Sequence, residues 1–208
     1  MKIKVCGITS VAQLRALESM GVDYAGFIFY PKSARYAGEK IEAHQKEMET
    51  FSINKVGVFV NEELEEVKRK IRRFHLAAVQ LHGDESAVYC KALMSHTQVI
   101  KVFRLSNEAG IDNLIAPFME ACHYFLFDTD TKEYGGSGRQ FNWNILQNAA
   151  IRKPFFLSGG IGPDDVEKLK TFQNPFVYGV DVNSRFEVEP GIKNMEAVQQ
   201  FLKDVKET

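Results

Sequence analysis

The sequence predicts an α/β fold in which eight parallel strands alternate with helices. Short runs rich in β-branched and aromatic residues alternate eight times with longer polar stretches of helical periodicity, in units of about 26 residues. The apolar runs are nearly continuous, which is typical of parallel strands covered on both faces. Eight units form either an open doubly wound sheet or a closed barrel, and their number favours the barrel. We therefore predict one domain over residues 1–208, a single (β/α)8 TIM barrel with a parallel eight-stranded sheet.

The predicted elements follow one another without a linker or a shift in composition. The strands are IKVCGI, YAGFIFY, KVGVFV, AAVQLHG, TQVIKVFRL, HYFLFDT, PFFLSGG and VYGVDVN. The helical segments that follow them are TSVAQLRALESMG, the stretch from Glu39 to about Phe51, NEELEEVKRKIRRF, DESAVYCKALMSH, SNEAGIDNLIAPFME, WNILQNAAI, PDDVEKLKTF and MEAVQQFLKDVKE.

Helix signals support several of these units. Ser10 is the predicted N-cap of the first helix, and Gly21 follows its end. In the third unit Asn61 is the predicted N-cap, acidic residues occupy the first turns and basic residues occupy the last. Charges in that order complement the helix dipole, so this helix is well specified.

The composition indicates a globular protein with one core. The chain has 208 residues, 45% of them hydrophobic, and a formal net charge of −1. This balance gives no reason to expect binding to nucleic acid or to a membrane surface. The sequence contains neither a secretory leader nor a run of about 18 apolar residues, so we expect no membrane span.

The cysteines and histidines indicate a reducing, cytoplasmic location and no metal site. Cys6, Cys90 and Cys122 are odd in number and scattered, unlike the cysteines of a disulfide framework. The five histidines are also scattered, and no CxxC or HxxxH spacing occurs.

Reactive groups of a (β/α)8 barrel lie at the carboxyl ends of its strands and in the loops that follow. The polar or reactive side chains at these positions are Cys6, Asn61, Gln80, His82, Arg104 and Asp128. A lone cysteine in an apolar strand is usually a core residue. Cys6 is therefore either a packing residue or a thiol placed to react, and His82 is either structural or a substrate contact.

Strands seven and eight end in turns that are typical of a phosphate site. The stretch SGGIGPDD, residues 158–165, leads from a strand into a helix, and its paired glycines let backbone N–H groups point at an anion. Asn183 and Ser184 follow the eighth strand and offer further donors. The alternative is a tight turn that needs glycine for its backbone angles. No GxGxxG pattern occurs, so a dinucleotide site is not predicted.

Seven segments, in order over residues 4–194, resemble the phosphoribosylanthranilate isomerase family of tryptophan biosynthesis. They are KVCGIT, GFIFYPKSAR, VGVFVN, VQLHGDES, FDT…YGGSGRQFNW, SGGI and GVDVNSRFE…PGIKN. The resemblance implies a (β/α)8 barrel and a cofactor-independent aldose–ketose isomerase, that is, an intramolecular oxidoreductase. The implied reaction is the Amadori rearrangement of N-(5-phosphoribosyl)anthranilate to 1-(2-carboxyphenylamino)-1-deoxyribulose 5-phosphate.

The resemblance also implies roles for individual residues. Cys6 corresponds to the general base, Asp128 to the general acid and Arg35 to the residue that holds the anthranilate carboxylate. The phosphate would be bound by Gly138, Gly159, Gly160, Asp181, Asn183 and Ser184. Apart from the resemblance, the position of His82 at a strand end makes it a candidate substrate contact, and Tyr134 in the sixth loop is a candidate to cover the aromatic ring.

One position departs from the pattern of the family. Family members commonly have glycine where this chain has Arg185, so a position of free backbone is replaced by a cation. Arg185 either contributes charge to the phosphate site or points to solvent.

The rearrangement needs one acid and one base on opposite sides of the sugar. Asp128 can act as the acid only if its pKa lies well above the usual value of about 3.9, and Cys6 can act as the base only as a thiolate. Burial would raise the first pKa, and a nearby cation would lower the second.

Other functions remain open at this point. A phosphosugar aldolase would need an interior lysine at a strand end, and Lys101 is the candidate, although it lies far from that end. A metal-dependent epimerase would need clustered ligands, and a non-catalytic barrel would bind phosphate without turnover. We expect a small phosphosugar partner carrying an anthranilate group, no cofactor, no metal, and a monomer or homodimer. The sequence leaves open whether the related histidine-pathway substrate is accepted.

Overall fold

The computed structural model describes residues 1–106, 110–130, 140–147 and 149–206, and it confirms the predicted (β/α)8 barrel. Eight parallel strands lie side by side in sequence order, and the sheet closes into a barrel because the last strand pairs with the first. They are β1 (Lys2–Cys6), β2 (Tyr24–Ile28), β3 (Asn54–Phe59), β4 (Ala78–Leu81), β5 (Gln98–Leu105), β6 (Tyr124–Thr129), β7 (Phe155–Leu157) and β8 (Val177–Val182).

Helices follow the strands and cover the outside of the barrel. They are α1 (Val11–Ser19), α2 (Gly38–Glu42), α3 (Gln45–Met48), α4 (Leu64–Phe74), α5 (Ala87–Leu93), α6 (Ile111–Ile115), α7 (Asn144–Gln147), α8 (Val166–Thr171) and α9 (Met195–Lys206). Short 3-10 helices span Ala116–Phe118, Pro163–Asp165 and Ser184–Phe186. Within the described ranges, no helix is long and apolar enough to cross a membrane.

The predicted N-cap is confirmed in α1 and is wrong in α4. Ser10 caps α1 by accepting a hydrogen bond from the N–H of Gln13. The predicted N-cap Asn61 is wrong, because α4 has Glu63 at that position. Asn61 instead adopts a left-handed backbone with φ of 50°, and its side-chain oxygen accepts a hydrogen bond from the N–H of Asp84.

Two other elements differ from the prediction. The stretch from Glu39 to about Phe51 forms two short helices, α2 and α3, because the backbone of His44 leaves the helical region between them. The short loop expected after the eighth strand contains a hairpin of β9 (Glu187–Glu189) and β10 (Ile192–Lys193).

Successive side chains of each strand point alternately outward, to the apolar layer between barrel and helices, and inward, to the barrel interior. On β1, Ile3 and Val5 pack into the cluster between barrel and helices, whereas Lys4 points inward. A second apolar cluster fills the lower interior, composed of Tyr24, Val56, Ala78, Ile100, Val102, Leu126 and Phe156. Above it, towards the carboxyl ends of the strands, the inward side chains become polar or ionisable, and the candidate site begins there.

Candidate active site

Cys6 is the last residue of β1 and is only 4% exposed. It lies opposite Gly26 of β2 in the parallel register. A Cβ atom on Gly26 would lie 2.9 Å from Cys6 Sγ and 3.1 Å from Lys4 Nζ, so glycine leaves the space that both side chains occupy. Burial, the largest influence, raises the pKa of the Cys6 thiol, while the positive charge of Lys4 opposes that shift.

Lys4 and Asp181 form a buried ion pair directly below the thiol. Lys4 Nζ donates to Asp181 Oδ1 at 2.7 Å, and the two residues face each other across the register of β1 and β8. Their side chains are 0% and 6% exposed. Lys4 is a further site residue, and its signal in the sequence is a lysine two residues before Cys6, on the same face of an apolar strand.

Asp181, a predicted phosphate ligand, is placed where it does not suit that role. Its carboxylate lies inside the barrel in the pair with Lys4, and Ser158 Oγ lies 3.4 Å from Oδ2. An ionised carboxylate only accepts hydrogen bonds, so it offers a phosphate no donor. Asp181 is therefore not a ligand of the proposed phosphate site.

Asp128 lies in β6, near the carboxyl end of that strand, beside His82. His82 Nε2 is 3.5 Å from Asp128 Oδ2, and the amide nitrogen of Gln80 is 3.2 Å from His82 Nδ1. Burial raises the pKa of Asp128 to about 7, although its Oδ1 accepts a hydrogen bond from the N–H of Thr129. Burial, assisted by the nearby cations, lowers the pKa of His82 to about 3. At neutral pH His82 is thus uncharged, and Asp128 is protonated in a substantial fraction of molecules.

Arg35 belongs to a network of three charges in the loops above β1. Its Nε and Nη2 donate to the carboxylate of Glu187, with Nη2 at 2.7 Å from Oε2. Lys193 Nζ donates to the other oxygen of Glu187 at 2.7 Å and to Asn183 Oδ1 at 2.7 Å. One carboxylate thus lies between two cations, which leaves one net positive charge beside Gly7. Neither Glu187 nor Lys193 had been identified from sequence.

The predicted phosphate loop has the expected backbone. Gly159 and Gly160 have φ of 88° and 69°, a left-handed region that favours glycine. A Cβ atom on Gly159 would overlap Thr129, so this glycine also has a steric role. In the described part of the chain, no group accepts a hydrogen bond from the N–H of Gly159 or Gly160.

The other predicted phosphate ligands are placed differently. Ser184 begins the 3-10 helix that follows β8, while the side-chain oxygen of Asn183 is bonded to Lys193. Gly138 and Tyr134 lie outside the described residues. Arg185 is half-exposed, with its guanidinium against Gly162 and 3.9 Å from Asp164.

Comparison with known proteins identifies the family. A family profile described as N-(5'phosphoribosyl)anthranilate (PRA) isomerase matches residues 3–204. The chain belongs to this family. N-(5'-Phosphoribosyl)anthranilate isomerase from Phocaeicola vulgatus is 41% identical over 208 residues, which cover 100% of this chain and 98% of the relative.

Solved phosphoribosylanthranilate isomerases share the barrel. The enzyme from Thermotoga maritima superposes with a TM-score of 0.85 at 35% identity and full coverage of both chains. Another structure, at 33% identity and a TM-score of 0.83, is a complex with reduced 1-(o-carboxyphenylamino)-1-deoxyribulose 5-phosphate and is covered in full. The predicted family, enzyme class and place in tryptophan biosynthesis are thereby confirmed.

The lysine that the aldolase alternative required is not in the barrel interior. Lys101 Nζ is bonded to Glu85 Oε2 at 2.8 Å and to the backbone oxygen of Gly83 at 2.7 Å. Its neighbour in the register, Phe125, belongs to the cluster between barrel and helices. Lys101 therefore faces away from the site. Within the described ranges, no group of three or more His, Cys, Asp or Glu side chains is arranged to hold a metal ion.

Proposed function

We propose that this isomerase carries out its Amadori rearrangement with Asp128 as general acid and Cys6 as general base. The observation that carries the proposal is the burial of Asp128 near the carboxyl end of β6. Burial raises the pKa of this carboxyl group to about 7. A carboxyl group with an ordinary pKa would hold almost no proton at neutral pH. The carboxyl group of Asp128 keeps its proton in many molecules at neutral pH and is able to donate it.

The two proton transfers follow in order. Asp128 gives its proton to the ring oxygen, the bond from that oxygen to C1 breaks, and the nitrogen lone pair forms a C1=N iminium. The Cys6 thiolate then removes the proton on C2. The electrons of that C–H bond form C1=C2 and neutralise the nitrogen, and the resulting enolamine tautomerises to the ketone. The iminium charge beside Cys6 favours the thiolate at the moment when the base is needed.

Arg35 is the proposed site for the anthranilate carboxylate. Glu187 occupies its Nε edge, which leaves the edge formed by Nη1 and Nη2 for a second carboxylate. Lys193 balances the charge of Glu187, so the positive charge of Arg35 remains available to the substrate.

We assign the phosphate to the turns after β7 and β8. The N–H groups of Gly159 and Gly160 would donate to it, with Ser184 on the neighbouring turn. Gly138 and Asn183 stay in the proposal as predictions. His82 is proposed to contact the sugar as a neutral donor or acceptor, since its pKa of about 3 excludes a positive charge at neutral pH.

We further propose a cytoplasmic location and a monomeric or homodimeric state. The three cysteines are unpaired and buried, which suits a reducing compartment. One 33% identical structure is described as monomers generated from the dimeric phosphoribosylanthranilate isomerase of Thermotoga maritima. Sedimentation of the purified chain distinguishes the two states.

The test of the acid and base uses phosphoribosylanthranilate generated in situ and the loss of its anthranilate fluorescence. We expect Cys6→Ser and Asp128→Asn each to lower turnover by about 10²–10⁴, because each removes one proton transfer. Cys90→Ala, at a buried cysteine outside the site, is the matched control and should retain turnover. Near-normal turnover in a folded Cys6→Ser or Asp128→Asn variant would refute the corresponding role.

A further inference from the structure

The Lys4–Asp181 pair has no part in the two proton transfers described above, yet it lies beneath the site in the barrel interior. Lys4 Nζ donates to Asp181 Oδ1 at 2.7 Å, and the Lys4 side chain is fully buried. Burying two charges costs several kcal/mol per ion, and well-packed apolar residues usually replace such a pair without loss of stability. Stability is therefore a weak explanation for placing an ammonium group in the barrel interior.

The space around Cys6 is shaped to admit that ammonium. Lys4 and Cys6 are two residues apart on β1, so both point into the barrel. Their Nζ and Sγ atoms each lie about 3 Å from the place where a Cβ on Gly26 would be. The neighbouring strand thus has no side chain at a position where a Cβ would crowd both the amine and the sulfur.

We propose that Lys4 is a positioning residue that keeps Cys6 competent as a base: its ammonium, fixed by Asp181 across the junction of β1 and β8, stabilises the Cys6 thiolate. This inference rests on the proposed role of Cys6. It concerns the charge beneath the sulfur, and Lys4 itself exchanges no proton with the substrate.

Charges from three elements face the sulfur. Lys4 from β1 and Lys193 from β10 favour the thiolate, whereas Asp181 from β8 disfavours it. Lys4 has a larger effect on Cys6 than Asp181 has, and its ammonium and the sulfur border the same space beside Gly26. Burial, the largest influence on Lys4, lowers its pKa, but Asp181 and Cys6 together raise it above the usual value. Lys4 therefore stays charged throughout the working pH range.

The experiment measures the thiolate directly. The ultraviolet absorbance of the full-length protein is titrated with pH, and the titration of a Cys6→Ser variant of the same background is subtracted. Lys4→Met removes the charge while keeping the length of the side chain, and Lys4→Arg keeps the charge. Lys70→Met is the matched control, because Lys70 is also a buried lysine in an ion pair, with Glu66, but lies on α4 outside the barrel.

We expect Lys4→Met to raise the thiolate midpoint by at least about one pH unit and to lower kcat/KM near neutral pH about three- to tenfold. The loss of rate is smaller than the loss of thiolate because a more basic thiolate accepts the proton more readily. Lys4→Arg keeps the charge, so its thiolate midpoint should lie close to that of the wild type. Lys70→Met should leave the midpoint unchanged. If Lys4→Met does not fold, Lys4→Met combined with Asp181→Leu removes both buried charges and should still raise the midpoint.

An unchanged midpoint in a folded Lys4 variant without the charge overturns the inference. So does an equal shift in Lys70→Met. Failure of the proposed function gives a different pattern. The thiolate midpoint rises in Lys4→Met, but Cys6→Ser turns over substrate as well as the wild type does. If Cys6→Ser is inactive and the midpoint does not move, the role of Lys4 alone is refuted.

Discussion

At the scale of single residues, the site contains an acid and a base whose ordinary pKa values are both shifted by burial. Burial raises the pKa of Asp128 to about 7 and also raises the pKa of Cys6. The reactive combination, protonated Asp128 with ionised Cys6, is therefore a minority of molecules near neutral pH. The substrate iminium and the charge of Lys4 both act to enlarge that fraction.

The first prediction is the pH dependence of kcat/KM. Below pH of about 7 the rate should rise with pH, because the thiolate fraction grows while Asp128 stays protonated. Between pH of about 7 and the pKa of Cys6, the gain in thiolate is offset by the loss of protonated Asp128. In this range kcat/KM should not change with pH. Above the pKa of Cys6 it should fall.

Steady-state kinetics over this range provide the measurement, and the affinity of the product at each pH controls for ionisation of the phosphate. A rate that declines as pH rises towards 7 would contradict the assignment of acid and base.

The second prediction concerns Arg35. Arg35→Ala should weaken the binding of the carboxylated product about 10- to 100-fold, the usual effect of losing a charged hydrogen bond. An analogue without the carboxylate should bind equally well to the wild type and the variant. Arg15→Ala removes an exposed arginine paired with Glu47 and serves as the control. Calorimetric titration measures both ligands, and unchanged affinity for both would remove the proposed clamp.

At the scale of elements, Glu85 joins the ends of three consecutive strands. One carboxylate oxygen accepts hydrogen bonds from the backbone N–H groups of Asn61, after β3, and Gly83, after β4. The other accepts from Lys101 of β5 at 2.8 Å. These bonds hold the loops on this side of the mouth and supply partners for Lys101, whose side chain strand alternation directs out of the barrel.

Glu85→Gln should therefore destabilise the protein by about 3–5 kcal/mol, because it leaves Lys101 buried without a countercharge. The exposed pair of Glu65 and Lys68 is the control, and Glu65→Gln should cost less than about 1 kcal/mol. Urea unfolding measures both. Replacing Glu85 and Lys101 together by methionine should recover part of the loss. Equal losses of unfolding free energy in Glu85→Gln and Glu65→Gln would show that the buried bonds of Glu85 contribute nothing to stability.

At the scale of the whole molecule, the barrel closes where β8 meets β1. Gly179 lies opposite Lys2 in the register of this junction. A Cβ atom at this position would lie 2.5 Å from the backbone oxygen of Lys2, which is fixed by the sheet. The junction also sets Lys4 opposite Asp181, so closure and the charge beneath Cys6 depend on the same strand pair.

Gly179→Ala should lower the free energy of unfolding by up to about 3 kcal/mol, because the new methyl group forces the strands apart. Gly21→Ala is the comparison: there a Cβ meets nothing within 4 Å, and only the positive φ of 75° is unfavourable. That cost is about 1 kcal/mol. Thermal unfolding measures both variants, and a smaller effect at Gly179 than at Gly21 would contradict the tight junction.

The sequence by itself determined the alternation of elements and the residues at the strand ends. Apolar runs and helical periodicity depend on near neighbours in the chain, so β1 and α1 could be placed with the Ser10 cap. The same local pattern put Cys6 and Asp128 at the mouth of a barrel. Asn61 was misassigned because its side chain serves a contact with Asp84, 23 residues away.

Only the tertiary structure decided which inward side chains meet and what charge they carry. Lys4 and Asp181 are 177 residues apart and become partners through the closing register, and Glu187 reaches Arg35 across 152 residues. Neither pairing leaves a periodic signal in the chain. The pKa of Asp128 is likewise a property of the folded barrel, because burial raises it and no feature of the sequence near Asp128 measures burial at the mouth.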